Sequence, residues 1–318
     1  MRLAREHRLV AVMRRDLEQA WAFANKHGVS RAYDRVEDLL ADEEVNAIYV
    51  STPPYAHAEN TIQAAEHGKH VLCEKPMALT QAQGRAMIDA CRANRVQLMI
   101  CYYQRFNARH QYIKHLLTSE AIGRVTAARI NFSDYYPPSL DNWRHSSHLS
   151  GGGPLMDLAP HCLDLLRYLC GLVIEVSGMV DSLASDSPVE DTATLLLRLA
   201  NGAQAVVTTH WSTANFEPDR LNAIELFGTK GTIIAAPINA KDSTGTVRLI
   251  TADGVKNLSV SPASPRPHVA LLETFGKALV TGEPIPVTGE EGLMDLAVIQ
   301  AAYQSASRGG IVLKGTFQ

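Results

Sequence analysis

Residues 45–76, with the sequence VNAIYVSTPPYAHAENTIQAAEHGKHVLCEKP, contain two apolar runs separated by a segment of helical length. The runs at 45–50 and 70–73 predict buried strands, and 57–67 predicts a helix that ends at Gly68. Two strands joined by a helix predict a parallel pair with a right-handed crossover. Prolines follow both strands, at 53–54 and 76, so each strand ends in a turn that cannot extend its hydrogen-bond ladder.

The same alternation continues on both sides of this unit. Strands are predicted over 8–13 and 97–101, and helices over 17–27, 37–40 and 80–94. Asp16 is the expected N-cap of the first helix and Gly28 its end. The pattern predicts an α/β fold with an incomplete Rossmann-type parallel sheet over residues 1–101. In such sheets ligands bind at the carboxyl ends of the strands, here 13–15, 51–54 and 74–76.

A second domain, with a different arrangement of strands, is predicted over residues 102–318. Residues 102–107 join the domains and are expected to begin a helix that runs through Leu117. A long strand is predicted over 123–135, and further strands over 175–182, 191–199, 204–211, 221–228, 231–235 and 246–251. Asn201-Gly202 is a hairpin turn signal, and helices are predicted over 267–281 and 289–307. This is a C-terminal α/β domain with a large open, mainly antiparallel sheet, suited to substrate binding and oligomerisation.

The composition is that of an ordinary globular protein. The 318 residues carry a net charge of −3, with 46% hydrophobic and 20% charged residues. These values are typical of a globular protein and give no indication of a nucleic-acid or membrane surface. No apolar run approaches the roughly 20 residues of a membrane helix. The five cysteines form no Cys-x-x-Cys pair, which favours reduced thiols and a cytoplasmic location.

The stretch GGGPLMDLAPHCLD at 151–164 places Asp157, His161 and Asp164 at i, i+4 and i+7. On one helix these side chains share a face, which could present an acid/base pair to a cleft or could be a buried helix with satisfied polar groups. Pro160 lies too deep for a helix that starts at Pro154. The regular helix is therefore expected to begin near Leu158 or to bend there.

These motifs, taken in order, resemble those of the Gfo/Idh/MocA oxidoreductases. The resemblance rests on Glu74-Lys75-Pro76, Thr52-Pro53-Pro54 with His57, Trp143-Arg144, and the glycine triplet followed by Asp157 and His161. It implies hydride transfer between a nicotinamide and a sugar, cyclitol or related alcohol or ketone. It also implies homodimers or homotetramers built on the open sheet.

The resemblance assigns roles to individual residues. It implies that Lys75 contacts the reacting oxygen and the nicotinamide ribose, that Asp157 orients the substrate, and that His161 is the general acid/base. The predicted cofactor-binding residues are Arg14, Arg15, Ser51, Thr52, Pro53, His57, Glu74, Lys75, Trp143 and Arg144, of which the two arginines are predicted from their position and charge. The implied substrate-binding residues are Lys75, Arg105, Asp157 and His161. Arg105 could equally hold a carboxylate at the domain interface. Asp164 could orient His161, but it is expected to be a satisfied helix polar group, and Pro76 is expected to be cis.

The cofactor prediction depends on Met13-Arg14-Arg15. NAD-selective Rossmann domains commonly end their second strand with an acidic residue, whereas two arginines stand here. A guanidinium fork suits a 2′-phosphate, so NADP is predicted over NAD. The alternative is two solvated arginines at a helix start, where cations are disfavoured unless an anion is near.

One expected signature is absent. No Gly-x-Gly-x-x-Gly precedes residue 8, so the sequence predicts a start codon placed too far downstream or a true truncation. The absence also keeps open a non-catalytic sugar- or nucleotide-binding sensor as the alternative function. A metal site built on His145, His148, Asp157 and His161 is disfavoured, because the two histidines lie in an irregular loop with no cysteine pair.

Overall fold

The computed structural model describes residues 4, 7–137, 139, 142–211, 222–240, 244–258, 266–315 and 317. The strands of the first third are β1 Ala11–Met13, β2 Arg31–Tyr33, β3 Ala47–Val50, β4 His70–Cys73 and β5 Leu98–Ile100. The helices there are α1 Leu17–His27, α2 Val36–Ala41, α3 His57–Glu66 and α4 Gln81–Ala93. All strand pairs in this part are parallel, as the alternating pattern predicts.

The parallel strands form two separate ladders within the described residues. β1 pairs with β2, and β4 lies between β3 and β5. β2 was not predicted, because its three residues, Arg31-Ala32-Tyr33, have no apolar run. The predicted strand over 8–13 was too long, since only its last three residues are β-structure. Asp16 does cap α1 by accepting a hydrogen bond from the Gln19 amide, and Gly28 ends it at φ 64°.

The later strands are β6 Val125–Ser133, β7 Val173–Asp181, β8 Thr192–Leu199, β9 Gln204–His210, β10 Ala223–Gly228, β11 Gly231–Ala236, β12 Thr246–Thr251, β13 Gly254–Leu258 and β14 Leu313–Lys314. They form one nine-stranded sheet in the order β13-β12-β11-β10-β6-β9-β8-β7-β14. Only the β6–β9 pair in this described sheet is parallel, which confirms a large, mainly antiparallel sheet. β13 and β14 were not predicted.

The later helices are α5 Ala108–Thr118, α6 Ser147–Ser150, α7 Pro154–Asp157, α8 Ala159–Cys170, α9 Pro267–Thr281 and α10 Gly289–Ala306. The single helix expected over 102–117 was wrong, because Asn107 interrupts it. A 3-10 turn over Tyr103–Phe106 precedes α5, and the Asn107 side chain caps α5 through the Arg109 amide. Short 3-10 turns also occur at Pro54–Ala56 and Trp143–His145.

The chain closes back on its first half through α10. This helix packs against α4 and β5 as well as against α8 and β7. The amide of Ile100, at the end of β5, donates to the carbonyl of Val287 just before α10. The two halves are thus held together by the C-terminal helix. None of the helices in the described ranges is long and apolar enough to cross a membrane.

Candidate active site

The turn after β4 holds the first site residue. The Lys75-Pro76 peptide is cis, as expected. Both oxygens of Glu74 are occupied, one by the Lys75 amide at 3.2 Å and the other by the Tyr49 hydroxyl. The buried His57 ring lies beneath, with Nδ1 2.8 Å from the Pro76 carbonyl and Nε2 2.7 Å from the Thr52 carbonyl. His57 therefore links the turns after β3 and β4, and its predicted part in cofactor binding would act through those turns.

Lys75 reaches from this turn to α7. Its Nζ lies 2.6 Å from Asp157 Oδ1 and 2.7 Å from the Asp157 carbonyl oxygen. Arg144 Nε donates to the other carboxylate oxygen at 3.2 Å. We call Lys75, Arg144 and Asp157 the pocket cluster. Burial alone would raise the pKa of Asp157, but the two cations outweigh it and lower that pKa to about 2.

Arg144 is held by aromatic rings as well as by Asp157. Its guanidinium lies 4.5 Å from the centre of the Trp143 ring and 4.7 Å from that of Tyr136. Cation–π contacts of this kind fix a guanidinium without using its donors. The segment predicted to reach the cofactor therefore also supplies a member of the pocket cluster.

His161 lies on α8 behind this cluster. Its ring contacts Tyr103 edge-on at 5.1 Å and Phe132 at 5.8 Å. Its Nδ1 is buried and has no hydrogen-bond partner among the described residues. Burial lowers the pKa of His161 well below its usual value, and the nearby charge of Lys75 lowers it further. At neutral pH the imidazole is thus uncharged and able to accept a proton.

The helical segment after the glycine triplet is broken at Leu158, as the position of Pro160 predicts. Pro160 has no N–H, so α7 ends at Asp157 and α8 begins at Ala159, with Leu158 between them. Asp157 and His161 consequently lie on different short helices. Lys75 and Asp157 contact each other directly, whereas no described hydrogen bond joins Asp157 to His161.

The start of α7 is fixed from behind by a buried carboxylate. Glu190 Oε1 accepts from the Leu155 amide at 3.0 Å and from the Tyr303 hydroxyl at 2.9 Å. A side chain at Gly152 would overlap the Tyr303 hydroxyl, and one at Gly153 would overlap the Glu190 carbonyl. The glycine triplet therefore permits a close approach that sets the position of Asp157.

Arg105 and Asp164 lie in a second, deeper set of charges. Arg105 donates to Asp164 at 2.6–3.1 Å and to Glu291 at 2.9–3.2 Å. Arg167 completes the set with Asp164, Glu291 and Asp295. We call these five residues the buried arginine cluster. It confirms Asp164 as a satisfied helix polar group, and it supports the carboxylate-holding alternative for Arg105 over the predicted substrate contact.

The remaining predicted residues lie at the carboxyl ends of the parallel strands. Arg14 and Arg15 are exposed directly after β1, and the Arg14 amide donates to the carbonyl of Tyr33 at the end of β2. Ser51 and Thr52 are exposed and Pro53 is half-buried in the turn after β3. The end of β1 therefore offers exposed cations, and the end of β3 offers exposed hydroxyls on the strand next to β4, which Glu74 and Lys75 follow. Such a set fits a phosphate- and ribose-bearing nucleotide.

Sequence reasoning missed three residues of this region: Glu190, Tyr303 and Trp211. Glu190 and Tyr303 act through distant elements, so no local motif marks them. Trp211 follows β9 and lines the pocket with Arg144, Asp157 and Met156. Its position after an alternating strand was the available signal. No group of three or more His, Cys, Asp or Glu residues within the described ranges could hold a metal ion.

Comparison with known proteins shows which family this chain resembles. Residues 1–102 match the profile of an oxidoreductase family with an NAD-binding Rossmann fold, and residues 110–234 match the GFO/IDH/MocA C-terminal domain. A 1,5-anhydro-D-fructose reductase of Ensifer adhaerens is 31% identical over 95% of this chain and 89% of its own length. A D-xylose 1-dehydrogenase (NADP(+)) of Haloferax volcanii is 30% identical over 97% and 93%.

Solved structures agree with these matches. An aldose-aldose oxidoreductase of Caulobacter crescentus, complexed with glycerol, superposes with a TM-score of 0.89 at 29% identity. The superposition covers 97% of this chain and 92% of that one. The parallel strands and the Lys75–Asp157 contact beside the buried His161 of this chain thus lie on an architecture shared with that structure. The chain belongs to the Gfo/Idh/MocA family of NAD(P)-dependent oxidoreductases.

Proposed function

We propose that this enzyme prefers NADP and interconverts a secondary alcohol and a ketone on a sugar, a cyclitol or a related polyol. The observation that carries the proposal is the Lys75–Asp157 contact of 2.6 Å beside the buried His161. The substrate class is supported by relatives whose names specify an anhydrofructose and D-xylose.

Lys75 is set up to bind the reacting oxygen. An ammonium has three donors, and Asp157 accepts two of them through its carboxylate and its carbonyl. The third donor remains for a substrate hydroxyl or carbonyl oxygen. The positive charge of Lys75 would stabilise negative charge that develops on that oxygen.

His161 and Asp157 would complete the chemistry. In oxidation, the neutral His161 accepts the hydroxyl proton while the carbon gives up its hydride, and a ketone is left. Bound nicotinamide supplies the hydride acceptor, or the donor in the reverse direction. Asp157 remains ionised throughout the neutral range and would orient a hydroxyl next to the reacting carbon.

The NADP preference rests on Arg14 and Arg15, both exposed at the end of β1. The other residues proposed to hold the cofactor are Ser51, Thr52, Pro53, Glu74, Lys75, Trp143 and Arg144.

The test of the NADP preference titrates NADPH and NADH against the wild type, the double variant Arg14→Ala/Arg15→Ala and the distant control Arg92→Ala. NADPH should bind roughly 10-fold more tightly than NADH, and the double variant should remove that difference alone. Equal affinities in the wild type would contradict the preference.

The oligomer proposal rests on the outer face of the nine-stranded sheet. Met179 on β7 and Leu196 on β8 are 70% and 58% exposed there. Because exposed apolar side chains on a broad sheet favour association, we propose a homodimer or homotetramer through this face. Leu196→Glu should then lower the mass measured by light scattering.

All five cysteines are buried and unpaired, which supports the proposed cytoplasmic location.

A further inference from the structure

Trp211 lies at the carboxyl end of β9, where that strand meets the pocket. Its side chain is 1% exposed and lines the pocket together with Asp157, Arg144 and Pro76. Its backbone is fixed on both sides, because its amide donates to the Asp191 carbonyl and its carbonyl accepts from the Tyr136 amide. The indole is therefore a permanent wall of the pocket.

Two rings hold the indole in one orientation. Tyr136 and His145 each contact it edge-on, with ring centres 5.6 Å away and interplanar angles of 82° and 67°. His145 is in turn fixed by its Nδ1, which lies 3.3 Å from the Ser187 hydroxyl. Neither ring can turn away without disturbing the others.

The rings of Trp211 and His145 each keep a polar atom without a hydrogen-bond partner among the described residues. Trp211 Nε1 and His145 Nε2 are buried, and neither has a hydrogen-bond partner among the described residues. Thr209, two residues earlier on the same face of β9, likewise has a buried hydroxyl without a described partner. Buried polar groups are normally paired. Because Trp211 lines the pocket and His145 contacts its ring, their unpaired atoms indicate a bound polar ligand.

We propose that Trp211 and His145 form a hydroxyl-recognition subsite for a cyclic polyol. The indole N–H donates to one ring hydroxyl at the wall of the pocket. His145 Nε2 pairs with a neighbouring hydroxyl, which can act as donor or acceptor. This inference rests on the proposed function and adds to it a residue pair that selects substrates by hydroxyls away from the reacting carbon.

The kinetic test removes the donor and keeps the ring. Trp211→Phe, the control Trp21→Phe on the exposed face of α1, and the wild type are assayed with 1,5-anhydro-D-fructose, D-xylose and myo-inositol. The best substrate is then compared with its monodeoxy analogues. Trp211→Phe should lower kcat/KM roughly 10-fold on the parent substrate and leave it unchanged on the one analogue that lacks the recognised hydroxyl. His145→Phe should show the same pattern with a different analogue.

A binding test is independent of turnover. The chain has three tryptophans, so its ¹H–¹⁵N spectrum should contain three indole signals, and the Trp211→Phe variant identifies one of them. Addition of the best substrate without cofactor should shift that signal and leave the Trp21 signal unchanged.

The outcomes separate the two proposals. If a polyol is turned over but Trp211→Phe equals the wild type on every analogue, the subsite is wrong and the proposed function stands. The same holds if that polyol binds and the Trp211 signal does not move. If none of the three polyols is bound or turned over, the proposed function fails and this inference fails with it.

Discussion

The pocket cluster and the buried arginine cluster are built from the same kinds of charges but differ in how those charges are balanced. The pocket cluster sets one ammonium and one guanidinium against a single carboxylate, so positive charge is in excess. The buried arginine cluster sets two guanidinium groups against three carboxyl groups, and burial raises the pKa of Asp164 to about 7, so its charges are close to balanced at neutral pH.

The two clusters also differ in how many of their hydrogen-bond donors are bound to protein acceptors. All three nitrogens of Arg105 are bound to protein acceptors, with Asp164 fully buried between it and Arg167. Lys75 has acceptors for two of its three donors among the described residues and is 14% exposed. A partly exposed set with an unused donor can serve a ligand, whereas a buried set whose nitrogens are all bound to protein acceptors serves the fold. We therefore expect the first cluster to determine activity and the second to determine stability.

The largest expected effect is on stability, from Arg105→Ala. The substitution leaves the buried Asp164 and Asp295 and the half-buried Glu291 with one guanidinium, and it should cost about 3–5 kcal/mol of unfolding free energy. Denaturant unfolding measures this, with Arg92→Ala, at an exposed ion pair, as the control expected to lose less than about 1 kcal/mol. Turnover per folded molecule should stay near the wild-type value. An Arg105→Ala enzyme that is stable but inactive would reverse the roles assigned to the two clusters.

The next effect is on turnover, from Lys75→Ala. Loss of the cation that stabilises the reacting oxygen should lower kcat/KM roughly 10²–10³-fold. Asp157 keeps Arg144 as a partner, so the unfolding free energy should fall by only about 1–2 kcal/mol. Steady-state kinetics and thermal unfolding are compared with Lys277→Ala, an exposed ion-pair control. Near-normal turnover in Lys75→Ala would remove Lys75 from the mechanism.

The smallest effect is a pH dependence of stability. Burial raises the pKa of Asp164 to about 7, Arg105 opposes the shift and the neighbouring Asp295 adds to it. A carboxyl whose pKa is raised in the folded state binds its proton more tightly there, so its stabilising contribution is lost as pH rises through about 7. The wild type should lose about 1 kcal/mol between pH 6 and 8 relative to Asp164→Asn. Parallel pH profiles of the two proteins would rule this out.

Much of the fold followed from local patterns in the chain. The caps of α1, the strand at 70–73 and the long antiparallel sheet depend on spacing and turn residues that a sequence displays directly. The separation of the two clusters did not follow, since spacing placed Asp157, His161 and Asp164 on one face. The break at Leu158 brings Asp157 to Lys75 and leaves Asp164 to the arginines. That break was suggested by Pro160, but its direction depends on Glu190 and Tyr303, which come from distant parts of the chain.

The close approach at Gly152 and Gly153 has a consequence for how much this chain can vary. Both positions face atoms that any side chain would overlap, whereas Gly202 has open space and only a positive φ. In a saturation library selected for activity and sequenced, positions 152 and 153 should return glycine alone, and position 202 should also return asparagine. The glycine pair beside the reacting groups is thus expected to tolerate no replacement, although it contributes no functional group.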